Sequence, residues 1–238
     1  MSPQEFYIRK TAPARRDLVA YNAAMLKHFG PPPRRPALSA FEAALEVLLG
    51  QEALPEGRME KILRRLRDLR GGAPLTPAFI WRLPRASLEE AIRPLAFFQA
   101  KVGRLHNFLA FLARKAGEDE PLEDADLTCL RDSGQGELRE ELLKIRGIGR
   151  ESADLILLHA LGLPVFAADV RAWRLLHRHG FVGEEAGYEE ICDIFIRALP
   201  EETPVYAECR RLIARTVRTY CHKRNPDCPA CPLREFLE

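Results

Sequence analysis

Residues 142–161 read LLKIRGIGRESADLILLHAL, and the fold turns on this stretch. Apolar residues at helical spacing on both sides of Gly147, Ile148 and Gly149 predict a helix, a sharp turn and a second helix. Both glycines permit positive φ and close backbone approach, while Ile148 plugs the core between the two helices. A turn feeding a helix N-terminus presents N–H groups that form a small anion site, and phosphate is the abundant anion that fits it. Taken alone, the tripeptide reads more simply as an ordinary corner between helices, so the rest of the chain has to decide.

Working outward, the 238 residues are 47% hydrophobic with six cysteines, enough to bury one large core or two modest ones without a disulfide framework. SAFEAALEVLL places Ser39 three residues before Glu42, and SLEEAI places Ser87 before Glu90, so both match a capping box at a helix start. Further amphipathic stretches lie near residues 57–70, 98–116, 136–145, 150–161, 169–179, 187–199 and 204–222, the last after Thr203 and Pro204. GPPPRRP (30–36), GGAPLTP (71–77) and GEDEPLEDAD (117–126) read as connectors, and no strand pattern emerges. The expected fold is all-α. The 36 basic residues nearly balance 34 acidic ones, so the net charge of +2 names no partner. There is no signal-peptide pattern, and the longest apolar run is interrupted by His159, Gly162 and Pro164, which predicts a cytoplasmic chain with no membrane partner.

The ordered set LxxIxGIGRxxAD, FAADV after the next turn, an upstream LLGQ and a terminal CxxxxxxCxxC resembles the helix-hairpin-helix DNA glycosylases related to endonuclease III. The resemblance runs from about residue 30 to the end and is nearest the branch of bacterial 3-methyladenine DNA glycosylases. It implies a two-domain fold with a central cleft. Residues 33–163 would form a six-helix barrel ending in the hairpin at about 142–155, and residues 1–32 with 164–238 a second helical domain. On the resemblance, Gly147, Ile148, Gly149 and Arg150 grip a DNA backbone phosphate, Gln51 fills the gap left by an extruded nucleotide, and Asp169 is the essential aspartate.

That chemistry suits the residues. A base inside a duplex is reached only after rotation out of the stack, and breaking its N-glycosidic bond develops positive charge on the sugar. A fixed carboxylate stabilises that cation or orients the attacking water, and Asp169 is the candidate; by itself it also reads as an N-cap for VRAWRLLHRHG. Glu151 stands where lyase-competent relatives carry a lysine that forms an imine with the sugar. A carboxylate cannot form one, so strand cleavage is not expected. Glu151 is also a favourable acid in a first helical turn.

Cys221, Cys228 and Cys231 match the first three ligands of the family's [4Fe–4S] pattern, whose fourth position is Leu237 here. An incomplete cluster, a substitute ligand such as His222 and a metal-free relict all remain open. Cys129, Cys192 and Cys209 read as packing residues. Arg210, Arg211, Arg215 and Arg218, with Arg171, Arg174 and Arg178, are expected to face phosphate. The aromatic segments usual in the alkylbase branch are missing; Phe41, Trp81, Phe97, Phe98 and Trp173 are left as pocket walls or core. The expected activity is excision of an alkylated purine from double-stranded DNA by a monomer without lyase action. The alternatives are a mismatch uracil or thymine glycosylase, an oxidised-base glycosylase, or a non-catalytic hairpin protein.

Overall fold

The computed structural model describes residues 15–31, 37–50 and 57–237. Among them there are α-helices and short 3₁₀ turns but no strand. The helices are α1 (Arg15–Phe29), α2 (Ala40–Leu49), α3 (Arg58–Asp68), α4 (Pro77–Arg82), α5 (Arg85–Ile92), α6 (Phe98–Ala116), α7 (Gln135–Leu143), α8 (Arg150–His159), α9 (Val170–Arg178), α10 (Tyr188–Ala198) and α11 (Thr203–Thr219). The chain divides into two compact units, one from Pro36–Leu163 and one from Met1–Arg35 with Pro164–Glu238.

In the continuous unit α2 packs on α6 and α8, and α7 packs on α8. Its core is built from the apolar stripes the sequence displays: Phe41, Leu45 and Leu48 of α2, Ile62 and Leu66 of α3, Leu105 and Phe108 of α6, Ile156 and Leu157 of α8. Burying each of these side chains contributes roughly 1.5–3 kcal/mol. The start of α2 is the capping box expected at Ser39, whose hydroxyl accepts from Glu42 N–H while Glu42 accepts from Ser39 N–H. Glu42 does more than cap. Its carboxylate, 2% exposed, takes both Nε and Nη2 of Arg67 at 2.7 Å and the N–H of Leu75 at 3.1 Å, fastening α2 to α3 and to the chain beyond it. Burial pushes this carboxyl up, but the bonds from Arg67, Leu75 and Ser39 outweigh it and hold it below the usual carboxylate range.

The expected cap at Ser87 is not formed. α5 starts three residues earlier, with Pro84 at the cap and no side-chain bond, which leaves Ser87 inside the first turn. GGAPLTP is only partly connector: Thr76 caps α4 by accepting from Phe79 N–H, with Pro77 at the first helical position where its missing N–H costs nothing.

In the discontinuous unit α9 packs on α11, and α1 packs on α10 and α11. Phe166 stacks on Phe195 with centroids 4.2 Å apart, and Tyr206 meets Phe166 edge-on. Cys192 and Cys209 are buried in this core, as packing residues should be, and burial pushes the Cys209 thiol up to about 12. Among the described residues no helix is long and apolar enough to cross a membrane.

Candidate functional site

The hairpin is α7, the corner Lys144–Gly149, and α8. Ile148 is 5% exposed and closes a turn onto Ile145 O, while Gly147 and Gly149 stay at the surface. The two glycines differ in their reasons. Gly147 has φ +96, a conformation L side chains rarely adopt, and an added Cβ would lie 3.4 Å from the Arg104 side chain. Gly149, expected to need the same freedom, is extended at φ −97 and ψ 178, with open space where a Cβ would go. Its backbone needs no glycine. As the α8 cap it makes no side-chain bond, so the first turn receives no oxygen from the cap residue. Arg139 binds Asp154 bidentately at 2.6 and 3.0 Å, locking α7 against α8 and fixing the corner between them. Arg150 is exposed at the first position of α8, and half-buried Glu151 follows it. Gln51 lies outside the described residues.

Asp169 heads α9 in the other unit. Its Oδ1 accepts from Arg171 N–H at 2.8 Å and Ala172 N–H at 2.9 Å, so the cap reading is correct. Its Oδ2 accepts from Arg171 Nε at 2.8 Å and Nη2 at 2.5 Å, and from Arg210 Nη2 at 3.4 Å. Burial pushes this carboxyl up, yet Arg210, Arg171 and the Ala172 N–H outweigh it and hold it below its ordinary value. The result is a buried, oriented and permanently anionic carboxylate at neutral pH.

Part of the arginine stripe is committed within its own unit, while Arg211 and Arg218 are exposed. Arg210 turns inward to Ala167 O and Asp169, Arg215 covers the Phe29 ring at 4.6 Å, and Arg174 and Arg178 reach the segment at Cys221. Of the aromatics, Phe41 is core at 0% exposure whereas Phe97 is 80% exposed, with φ +54, just before α6.

Cys221, Cys228 and Cys231 line one pocket, and Leu237 lines it too. Arg178 Nη1 lies 3.1 Å from Cys221 Sγ. Burial pushes the Cys231 thiol up; the Leu233 N–H opposes this, and neighbouring Cys221 and Cys228 add to it. Among the described residues no group of three or more His, Cys, Asp or Glu is placed to hold a single metal ion. Exposed His222 is not part of the pocket wall. Three cysteines share this pocket, and Leu237, which stands at the fourth position of the pattern, offers no thiolate, so these residues do not make a four-thiolate set.

No family model matches the chain. It is 33% identical over 195 residues to MJ1434 of Methanocaldococcus jannaschii, named as a candidate DNA repair glycosylase, covering 82% of this chain and 86% of that protein. The chain belongs to the helix-hairpin-helix DNA glycosylase superfamily. Two solved members of that superfamily share its fold. A trapped endonuclease III–DNA covalent intermediate matches with a TM-score of 0.70 at 22% identity, over 94% of this chain and 95% of that one. H. pylori 3-methyladenine DNA glycosylase bound to 1,N6-ethenoadenine matches with a TM-score of 0.67 at 22% identity, over 86% and 96%.

Proposed function

We propose that this chain is a monofunctional base-excision glycosylase that acts on duplex DNA as a cytoplasmic monomer and removes alkylated purines. The observation that carries the reading is Asp169. It is a carboxylate held anionic and oriented at a helix head, as stabilisation of a sugar cation requires. Its Oδ1 is committed to the helix, so Oδ2 is the oxygen left for the sugar or the attacking water. Gly147, Ile148, Gly149 and Arg150 hold a phosphate at the corner, where the open space over Gly149 admits an oxygen close to the backbone. Gln51 occupies the vacated stack. Glu151 supports the absence of lyase action, because its carboxylate cannot form an imine.

Little acid catalysis is visible, and a base alkylated at a ring nitrogen already carries the positive charge that makes it depart. This favours cationic lesions such as 3-methyladenine. The 3-methyladenine glycosylase among the fold neighbours supports the same class. Cys221, Cys228 and Cys231 would hold an iron–sulfur cluster through three thiolates, a structural electron-rich core that takes no part in the hydrolysis.

The test is release of free bases from methylated DNA beside uracil and thymine-glycol duplexes, with borohydride present. Methylated purines leave fastest, abasic sites stay intact until alkali, and no covalent complex is trapped. Faster release of either neutral base would reject the substrate class, and a trapped complex would reject the monofunctional reading.

A further inference from the structure

Helix α6 carries three polar side chains on successive turns, Lys101, Arg104 and Asn107, and each reaches a different backbone. Lys101, 4% exposed, donates to Leu49 O at 2.7 Å and Gly50 O at 2.8 Å, the last carbonyls of α2 and its cap. Arg104 donates from Nη1 to Leu48 O at 3.3 Å, and its stem lies 3.4 Å from where a Cβ on Gly147 would sit. Asn107 donates to Arg146 O at 2.9 Å, inside the hairpin corner. One helix thus holds the end of α2 with its first two polar groups and the corner with its last two.

The exit from α2 is built around this hold. Gly50 is extended, and a Cβ there would lie 2.6 Å from Glu46 O, so the cap position is suited to glycine. The last turn of α2 carries no basic residue of its own. The buried ammonium of Lys101 supplies the positive charge that the carbonyl end of a helix favours. Burying an ammonium is unfavourable without strong acceptors, so Lys101 is an expensive way to fill core space. Nor does the chemistry at Asp169 use it.

We propose that Lys101, Arg104 and Asn107 are positioning residues that tie the hairpin corner to the C-terminal end of α2, so that phosphate held at the corner and the end of α2 at Gly50 meet DNA in one register. The proposal rests on the glycosylase reading above. The residue after Gly50 in sequence is Gln51, which makes the coupling measurable.

The experiment uses the full chain and a duplex holding a tetrahydrofuran abasic-site analogue with 2-aminopurine opposite it. Binding is followed by anisotropy and disturbance of the opposite base by fluorescence. The wild-type protein binds this duplex more tightly than an undamaged one and raises the fluorescence. Lys101→Met lowers the fluorescence of the saturated complex by more than half, as Gln51→Ala does, and the double variant is no worse than the lower single variant, because both act at one point. Full fluorescence in Lys101→Met, or losses that add, overturns the coupling. Should Lys101→Met fail to fold, Asn107→Leu at the exposed end of the ridge serves instead: it weakens binding by about threefold or more and lowers the fluorescence of the saturated complex. Unchanged fluorescence from that saturated complex overturns the coupling. A wild-type protein that does not distinguish the abasic duplex from undamaged DNA rejects the glycosylase reading itself, a different failure.

Discussion

Asp169 Oδ2 is shared by two arginines from different origins: Arg171, two residues along the same helix, and Arg210, reaching over from α11 while its Nε holds Ala167 O. Arg171 holds the carboxylate with both Nε and Nη2, whereas Arg210 reaches it with Nη2 alone at 3.4 Å. Asp169→Asn keeps an N-cap oxygen, so the fold survives while excision is lost and binding to an abasic duplex is retained. Because the folded carboxyl sits below its ordinary value, it stays ionised as pH falls through the normal carboxylate range; the stability it contributes is fully present above that range and is lost progressively as pH falls from the ordinary value through the lower folded one. Replacing Arg171 with Met removes one of the charges that depress it. The acid limb of the excision profile then moves to higher pH, and an unmoved limb would show that Arg171 does not tune Asp169.

The two corner glycines make opposite predictions. Gly147→Ala forces a side chain into left-handed backbone against Arg104 and costs about 1–2 kcal/mol of stability. Gly149→Ala meets neither strain nor a neighbour, so thermal unfolding shifts by no more than about 0.5 kcal/mol. Its affinity for abasic duplex nonetheless falls by about tenfold, since the methyl group stands where the phosphate approaches. Unchanged affinity in Gly149→Ala would remove the corner from the DNA interface.

Lys101 has a signature in alkali. Burial, with repulsion from Arg104, pushes its ammonium down to about 8. Between that pH and the ordinary lysine range the unfolded chain holds a proton that the folded chain has released, so stability rises with pH across this window. Below it both states are protonated and the penalty is constant. The full effect is on the order of 3 kcal/mol. Urea unfolding from pH 7.5 to 10.5 should show this rise in the wild-type protein relative to Lys101→Met, and parallel curves would place the Lys101 proton elsewhere.

The cysteine pocket predicts a brown protein when purified without oxygen, with a cluster that oxygen bleaches readily because one iron lacks a thiolate. Leu237→Cys supplies the missing ligand from a residue already in the pocket wall, and bleaching should slow. Colourless, iron-free anaerobic protein would leave the three cysteines as a relict.

Local signals were legible in the sequence and long-range ones were not. α6 runs over the residues its periodicity predicts, and Ser39 caps α2 as its spacing with Glu42 requires. α4 was hidden because Thr76 and Pro77 belong to a run of turn-forming residues, and the same pair that suggests a loop also starts a helix. α1 shows Leu18, Tyr21 and Met25 at helical spacing, too few positions to stand out beside a polar face. Arg210 departs from the phosphate-facing expectation for a physical reason. A guanidinium looks like a phosphate ligand until the carbonyl or carboxylate it serves is known, and Ala167 and Asp169 lie far from Arg210 in sequence. Lys101 was invisible on the same ground, its acceptors being 51 and 52 residues away.

One unit is a continuous run of chain and the other is made of both ends, which gives the molecule an order of birth. During translation α1 leaves the ribosome well before α10 and α11, on which it packs, and before His179, Phe181 and Phe236, which meet Tyr21. For on the order of ten seconds or more that helix lacks these partners, while Pro36–Leu163 is already complete as a run of chain. A nascent chain arrested after Leu163 would therefore carry a finished hairpin and a stranded first helix, the species most in need of a chaperone's cover.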